Sequence, residues 1–166
     1  MENTLGLDFR EALPNADEYL ALFETTGWNC EYHLTAEDLH NALRHSWYLI
    51  GAYDQDRLGA AGRVISDGIF HALIVDVIVS PEYRAQGLGS SIMRRLFERC
   101  RQGRLRDVQL FCARGKAPFY SQLGFVLTWI SHRVCPGNRS GVLNQEFTVA
   151  KPKNDIHVCN VYYAER

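Results

Sequence analysis

The feature that most constrains the fold of this chain is an apolar run followed by two glycines and an amphipathic helix. The apolar run covers residues 69–79 and is interrupted only by His71 and Asp76. Beyond Gly87 and Gly89, apolar residues recur on one helical face and arginines fall mostly on the other. The apolar positions are Ile92, Met93, Leu96, Phe97 and Cys100. A long strand that leads through a glycine turn into a helix predicts a crossover between parallel strands.

The remaining hydrophobic pattern predicts a mixed sheet with helices. Predicted strands cover residues 4–10, 47–53, 58–66, 69–79, 108–112, 125–134, 146–150 and 156–163. Predicted helices cover residues 15–25 and 35–45, a segment that ends at Gly103, and residues 117–123. Thr35 and Asp38 form a capping-box pattern. The strands of residues 47–79 predict an antiparallel meander whose last strand is buried on both faces, so the fold class is α/β (α+β).

The composition places these elements in one domain. The chain has 166 residues, with 18 Lys and Arg against 19 Asp and Glu. We expect one domain over residues 1–166, with residues 135–166 as a strand-rich C-terminal extension. The near-zero net charge argues against a general binder of nucleic acids or membrane surfaces. The sequence has no secretory signal and no apolar run of ~18 residues, which predicts a cytoplasmic protein.

The five cysteines predict neither a metal site nor a disulfide framework. They are widely spaced, no two form a C-x-x-C pair, and no histidine lies at ligand spacing with them. We therefore expect buried or half-buried thiols in a reducing compartment, and no bound metal. A catalytic cysteine would need a nearby base, and the sequence identifies none.

Gly87 and Gly89 lie where an anion would bind. The first N–H groups of a helix have no intrahelical acceptor, and the helix dipole adds positive potential, so a glycine turn at a helix start favours a phosphate or pyrophosphate. A Walker A loop would need a lysine after the glycines, and a dinucleotide-binding turn would need a third glycine where Ile92 stands. Neither pattern fits, and the alternative is a tight strand-to-helix turn without a ligand.

Two longer motifs carry a more specific resemblance. Arg84-Ala-Gln-Gly87-Leu-Gly89 resembles the R/Q-x-x-G-x-G/A signature of the GCN5-related N-acetyltransferase (GNAT) superfamily. The later segment Ala117-Pro-Phe-Tyr-Ser-Gln-Leu-Gly-Phe125 is similar to that family's F-Y-x-x-L-G-F segment. The resemblance covers roughly residues 4–130. It implies the GNAT fold, with helices on both faces of the sheet, and an N-acetyltransferase that uses acetyl-CoA as its acyl donor.

The resemblance also implies where acetyl-CoA lies. Its pantetheine arm would follow the main chain of residues 77–79, as a ligand added to a strand edge, and its pyrophosphate would lie on the N–H groups of residues 86–90. The implied donor contacts are Val77, Ile78, Val79, Arg84, Gln86, Gly87, Leu88, Gly89, Ser90, Lys116 and Phe119. The opening for the donor would lie between the 69–79 strand and the strand that contains residues 108–112.

Direct acetyl transfer to an amine, as the resemblance implies, needs a proton donor and a stabilised oxyanion. Tyr120 takes the family's tyrosine position, where a phenol would protonate the departing sulfur; alternatively it only packs under the donor. An N–H group near Val77 would stabilise the oxyanion. Asp76, a carboxylate in an apolar strand, would receive the acceptor's ammonium or accept its proton. Its alternative is a structural carboxylate bonded to neighbouring backbone or to an arginine.

The resemblance assigns acceptor recognition to the loop after the first helix. Trp28 and Tyr32 would wall a pocket and Glu31 would attract a cation, unless the aromatics only pin the loop. The expected acceptor is a primary amine of a small molecule. A protein amino group is the second class, and an acyl-CoA sensor without turnover is the rival. The C-terminal strands could also build a homodimer.

A cluster of six arginines lies between Arg94 and Arg106. It could contact nucleic acid, but no aromatic residue of that helix face is interleaved to stack bases. We therefore predict a solvated helix face with some attraction for the donor's phosphates, and no nucleic-acid or membrane partner.

Overall fold

The architecture is a mixed sheet with helices against both faces. It is described by a computed structural model that covers residues 6–110 and 116–125. The strands are β1 (Asp8–Arg10), β2 (Tyr48–Asp54), β3 (Arg57–Ser66), β4 (His71–Val79) and β5 (Asp107–Leu110). The helices are α1 (Ala16–Glu24), α2 (Asn29–Tyr32), α3 (Ala36–Arg44), α4 (Leu88–Gln102) and α5 (Ala117–Gln122), and a 3-10 turn spans Pro81–Tyr83.

The five strands lie side by side in chain order. Neighbours from β1 to β4 are antiparallel, whereas β4 and β5 are parallel and pair from His71 with Asp107 to Ile74 with Leu110. Helix α4 makes the crossover that a parallel pair requires. The predicted antiparallel meander and parallel crossover are therefore confirmed.

Two apolar cores hold the helices against the sheet. The core under α1 and α3 contains Tyr19, Leu22, Phe23, Leu39, Leu43, Tyr53, Leu58, Ala61 and Ile78. The core under α4 and α5 includes Ile50, Val64, Ile74, Ile92, Leu96, Cys100, Val108, Leu110 and Tyr120. Gly62 of β3 allows α4 to approach the sheet, because a Cβ there would lie 2.8 Å from atoms of Ile92 and of Leu96.

The helix starts follow from their capping residues. Asn15 precedes α1, and its side-chain oxygen accepts the N–H of Asp17 at 2.9 Å. Before α3, the Thr35 hydroxyl accepts the N–H of Asp38 while the Asp38 carboxylate accepts the N–H of Thr35, so the predicted capping box is confirmed. The short helix α2 was not predicted, since its four residues give no readable period.

Two strand predictions extend too far at their starts. Residues 69–70 precede β4, because the Asp67 carboxylate accepts the N–H groups of Ile69, Phe70 and His71 and closes a turn there. Ile69 is 80% exposed as a result. Residues 6 and 7 precede β1, and Gly6 has φ +65, which breaks an extended chain.

Burial of β4 also differs from the expectation. Its residues alternate between buried positions, such as Ala72 and Ile74, and half-buried ones, such as Val75 and Val77. The prediction that this strand is buried on both faces was wrong, because part of it borders an open cleft. The predicted strands over residues 126–163 and the extension at 135–166 lie outside the described residues.

Candidate active site

A cleft of about 630 Å³ lies beside the C-terminal half of β4. The described pairs between β4 and β5 end before this half, at Ile74 and Leu110. Its walls come from β4, the start of α4, α5 and the loop after α1. The predicted residues that line it are Trp28, Asp76, Val77, Ile78, Val79, Arg84, Gly87, Leu88, Gly89, Ser90, Lys116, Phe119 and Tyr120. The two sequence motifs therefore meet in one cavity. Gln86, Glu31 and Tyr32 do not line the part of the cleft that the structure describes.

The end of β4 directs backbone groups into this cleft. The N–H of Ser80 donates to the carbonyl of Gly59 in β3 at 2.9 Å, so the backbone groups of Ser80 face β3. Backbone direction alternates along a strand, and those of Val79 and Val77 therefore face the other way, toward the cleft. The predicted strand edge for a pantetheine arm is present at these two residues.

The same strand carries a β-bulge at the cleft. Ala61 of β3 pairs with Ile78 but Arg63 pairs with Val75, so β4 has one residue more than β3 over this stretch. Asp76 takes the left-handed conformation there, with φ +52. An aspartate tolerates this conformation better than most residues because its short side chain can bond locally.

The Asp76 carboxylate is bound to an arginine. Nε of Arg63 donates to Oδ2 of Asp76 at 2.6 Å, and the two side chains are only 14% and 23% exposed. Nη1 of Arg63 also donates to the carbonyl of Ala42 at 3.1 Å. The contacts thus agree with the alternative that Asp76 is a structural carboxylate bonded to an arginine, and the sequence could not name Arg63 as its partner.

The buried phenol of Tyr19 lies near this ion pair. Burial is the main cause that raises the pKa of Tyr19, the charge of Asp76 raises it further, and Arg63 lowers it. Among the described residues its hydroxyl has no hydrogen-bond partner with full geometry, although Arg63 lies close enough to lower the pKa of the phenol. Tyr19 is therefore a neutral phenol at physiological pH.

The glycine loop leaves helix N–H groups without side-chain caps. Gly87 precedes α4 with φ +81 and supplies no side chain to cap it, and its carbonyl accepts the N–H of Ser91 at 3.0 Å. The N–H groups of Leu88, Gly89 and Ser90 lie in the first turn of α4, where N–H groups have no intrahelical acceptor. A Cβ at Gly87 would meet no atom within 4 Å, so the loop faces open space. This arrangement fits a pyrophosphate.

Gly89 lies close to the side chains of Phe119 and Val79. A Cβ there would lie 3.4 Å from the ring of Phe119 and 3.5 Å from a methyl of Val79. The contact brings the start of α4, the end of β4 and α5 together. A glycine at this position leaves room for a ligand to approach the helix N–H groups.

The Arg84 side chain lies across the rim of the cleft. Its Nε donates to the carbonyl of Val79 at 3.0 Å, and its Nη2 donates to the carbonyl of Thr25, the residue after α1, at 3.5 Å. Arg84 thus joins the end of β4 to the loop after α1. The Val79 carbonyl thus has a hydrogen-bond donor within the chain, and the predicted phosphate contact of Arg84 stays a prediction.

The predicted acid Tyr120 is buried at the cleft wall. It is 8% exposed and packs edge-on against Phe119 at 4.9 Å and against Phe125 at 6.3 Å between ring centroids. Lys116 immediately precedes α5 and lines the same cleft. Tyr120 is thus held by two rings while it borders the cavity.

Comparison with known proteins decides the family. A model described as Acetyltransferase (GNAT) domain matches residues 44–127, which include the glycine loop and the segment around Tyr120. The chain belongs to the GNAT acetyltransferase family. The family predicted from the two motifs is confirmed. Among curated relatives, an uncharacterized N-acetyltransferase, ycf52, of Porphyra purpurea is 30% identical over 116 residues, which is 68% of this chain and 65% of that protein.

Solved structures of acetyltransferases share the fold. A probable acetyltransferase, SA2161, of Staphylococcus aureus has a TM-score of 0.65 and 25% identity, over 82% of this chain and 99% of that one. The PaiA N-acetyltransferase of Thermoplasma acidophilum, solved in complex with coenzyme A, has a TM-score of 0.62, over 77% of this chain and 94% of that one. Its identity is 14%, so this second likeness concerns the fold alone.

Of the three residues predicted to bind the acceptor, Trp28 is the one that lines the described part of the cleft. It packs edge-on against Phe23 at 5.8 Å between ring centroids. Glu31 and Tyr32 lie on α2, outside the described lining of the cleft, and Tyr32 is 63% exposed. Thr25 and Thr26 line the cleft instead, and no sequence signal marked them, because they are placed by the end of α1.

Charge is distributed unevenly between the two faces of this GNAT sheet. Residues 15–45, which contain α1 to α3, have six acids and one arginine, whereas residues 84–106, which contain α4, have seven arginines and one acid. Among the described cleft residues Asp76 is the one acid, and Arg84 and Lys116 are the bases. The α4 side of the sheet is therefore the basic one, and the described cleft lining has one more base than acid.

The α4 arginines cover aromatic rings that the sequence did not place beside them. The guanidinium of Arg95 lies 3.9 Å from the ring centre of Phe9, and that of Arg99 lies 5.6 Å from Trp47 and 5.5 Å from Tyr48. The aromatics come from β1 and the start of β2, not from the helix. These contacts are cation–π interactions between the helix and the strands.

The remaining predictions concern metals, thiols and membranes. Among residues 6–110 and 116–125, no group of three or more His, Cys, Asp or Glu side chains could hold a metal ion. Burial raises the pKa of the Cys100 thiol to about 12, whereas Cys30 is exposed. None of the helices in these two stretches is long and apolar enough to cross a membrane.

Proposed function

We propose that this GNAT protein is an N-acetyltransferase that moves an acetyl group from acetyl-CoA to a primary amine of a small molecule. One observation carries the proposal: a single cleft contains helix N–H groups that fit phosphate, a strand edge and the Tyr120 side chain. The coenzyme A bound to the Thermoplasma acidophilum neighbour supports the same donor here.

The donor would be held at two places. Its pyrophosphate would accept hydrogen bonds from the N–H groups of Leu88, Gly89 and Ser90, helped by the dipole of the fifteen-residue helix α4. Its pantetheine arm would follow the backbone of Val77 and Val79, where the carbonyl of Val79 would have to exchange the Arg84 donor for a donor on the arm. Lys116 adds a positive charge within the same cleft.

Acetyl-CoA supplies an activated thioester carbonyl. The lone pair of a deprotonated amine forms the new N–C bond, and the C–S bond breaks with its electron pair on sulfur. A backbone N–H near Val77 would donate to the oxygen that becomes negative during attack. The Tyr120 hydroxyl would donate its proton to the thiolate, and the phenolate would recover, through water, the proton that the amine nitrogen releases.

The acceptor would enter beside Trp28, Thr25 and Thr26. The cleft volume of about 630 Å³ is that of a pocket for one drug-sized molecule, and the donor's arm occupies part of it. The space left for the acceptor is small, which favours a small amine over a folded protein surface. A protein amino group on an extended segment is the second candidate class.

An acceptor screen tests this function. Acetyl-CoA is incubated with aromatic monoamines, polyamines, amino acids and short peptides, and free thiol is measured beside coenzyme A affinity. We expect acceptor-dependent thiol release, which Tyr120→Phe slows about 100-fold with unchanged coenzyme A affinity. Tight coenzyme A binding without thiol release for any amine would support a sensor without turnover.

Two predictions from the sequence can be tested beside that screen. Fluorescence microscopy of a tagged full chain tests the predicted cytoplasmic location. Light scattering of the purified chain tests a homodimer, which would have twice the 19.0 kDa mass of one chain.

A further inference from the structure

The buried pair of Arg63 and Asp76 connects three elements at the floor of the cleft. Arg63 lies in β3 and Asp76 in β4, and their side chains meet at 2.6 Å on the α1 and α3 side of the sheet. The guanidinium of Arg63 reaches on to the carbonyl of Ala42 at 3.1 Å and the hydroxyl of Ser46 at 3.4 Å. The end of α3 is thereby tied to the β4 bulge.

The bulge needs such a tie because its backbone is strained. Asp76 has φ +52, which is unfavourable for residues other than glycine and persists where surrounding contacts hold it. The ion pair is the contact that holds the Asp76 side chain on the α3 side. Opposite the bulge, Gly62 is pressed against α4, so β3 cannot shift toward that helix to relax it.

The bulge determines what the next residue presents to the cleft. Val77 follows Asp76 directly, and its backbone is the one expected to receive the acyl carbonyl. A small rotation at Asp76 would move the N–H of Val77 relative to the thioester. Reactions of this kind are sensitive to such displacements: a shift of about 1 Å can cost on the order of 100-fold in rate.

We propose that Arg63 is a positioning residue for acetyl transfer, and that Asp76 acts with it as one structural unit rather than as the proton acceptor. The inference rests on the proposed function of this cleft. The Oδ2 atom of Asp76 is already engaged by a guanidinium at 2.6 Å. Among the described residues, Tyr19 is a titratable group affected by this pair, and it is a neutral phenol.

The experiment compares four variants in the full chain. Arg63→Met and Asp76→Asn each remove one member of the ion pair, and the double variant removes both. Arg63→Lys keeps the positive charge but lacks the planar guanidinium group. Arg10→Met is the matched control, because Arg10 lies in β1, at the edge of the sheet away from the cleft, and its ion pair with Asp8 is exposed. Thermal unfolding of every variant shows which ones remain folded.

Acyl transfer is then measured as kcat, KM for acetyl-CoA, and a pH profile. We expect kcat to fall about 10- to 100-fold in Arg63→Met and by a similar factor in Asp76→Asn, with KM changed less. The double variant should be no slower than either single one, because the two residues act as a unit. Arg63→Lys should recover part of the rate, and Arg10→Met should match wild type.

The pH profile separates positioning from proton transfer. A positioning pair leaves the shape of the profile unchanged in Asp76→Asn. The proposal is overturned if Asp76→Asn loses the limb that reports a catalytic base while folded Arg63→Met keeps it. It is also overturned if folded Arg63→Met has wild-type kcat.

Failure of the proposed function is recognised separately. If wild type releases no thiol with any amine, that function fails, and the positioning role is judged by equilibrium binding of acetyl-CoA and of coenzyme A. We then expect Arg63→Met and Asp76→Asn to reduce the preference for acetyl-CoA over coenzyme A by the same factor, at least threefold. Where the variants do not fold, the same ratio is measured in Arg63→Lys. An unchanged ratio overturns the proposal.

Discussion

Replacing Gly89 by valine perturbs the proposed phosphate site beside Phe119 and Val79. A Cβ at this position lies 3.4 Å from the Phe119 ring and 3.5 Å from a Val79 methyl, which are ordinary contacts, so alanine fits. The two valine methyl groups extend about 1.5 Å further and must enter the cleft or displace the ring. Gly89→Ala is therefore the matched control, and it should gain up to ~1 kcal/mol of helix stability.

The size of the effect follows from the N–H groups that valine covers. A hydrogen bond to a charged group contributes about 1.5–3 kcal/mol. The loss of one hydrogen bond between a backbone N–H and the pyrophosphate should therefore raise the Kd for coenzyme A roughly 10- to 100-fold. Gly89→Ala should lose less. Pantetheine, which has no pyrophosphate, should bind Gly89→Val as it binds wild type.

The assay is isothermal titration of both ligands, with thermal unfolding to show that each variant is folded. Two results would refute the assignment of this loop. The first is a folded Gly89→Val protein that binds coenzyme A within twofold of wild type. The second is an equal loss for coenzyme A and pantetheine, which would indicate damage to the cleft as a whole.

Three further predictions concern the core and the thiols. Gly62→Ala should lower the free energy of unfolding by about 1–3 kcal/mol in urea titration, because its Cβ would lie 2.8 Å from side-chain atoms of α4; an unchanged midpoint would contradict that packing. Cys30 should react with iodoacetamide at pH 8, whereas Cys100 should stay unmodified until the protein unfolds, because burial raises the pKa of the Cys100 thiol to about 12. Peptide mass mapping checks this, and labelling of Cys100 in the folded protein would contradict it. Tyr19→Phe should leave stability unchanged or raise it by up to about 1 kcal/mol, because the hydroxyl has no hydrogen bond of full geometry to the described residues. A clear loss of stability in urea titration would show that its contact with Arg63 is a stabilising hydrogen bond.

The parts of the site that the sequence predicted depend on local rules. The turn at Gly87, the helix after it and the capping box at Thr35 are each specified within a few residues, and each is present. The two motifs could be brought together only through the family resemblance. Nothing in the spacing of residues 84–89 and 117–125 by itself says that they share a cavity.

The parts that the sequence missed depend on pairing across the sheet. Arg63 and Asp76 are thirteen positions apart and meet only because of the register between β3 and β4, which a bulge shifts by one residue. A one-residue change of register redirects side chains to the other face, so no periodicity could predict this pair. Similarly, Asp67 shortens β4 through three side-chain hydrogen bonds that an apolar run conceals.

The arginines of α4 show the same limit for charge. Their spacing along the helix predicted an exposed basic face, which is what the helix presents. The rings beneath Arg95 and Arg99 come from β1 and β2, more than forty residues earlier in the chain. Only the packing of α4 on those strands brings charge and aromatic face together.

Mass spectrometry of both products tests the central claim most directly. Acetyl-CoA, the wild-type protein and the most active amine of the screen are mixed, and the amounts of free coenzyme A and of acetylated amine are measured in the same sample. Acetyl transfer predicts equal amounts of the two products, both dependent on the amine and both reduced in Tyr120→Phe. Acetyl-CoA that binds but stays intact with every amine, or thiol release without an acetylated amine, would contradict it.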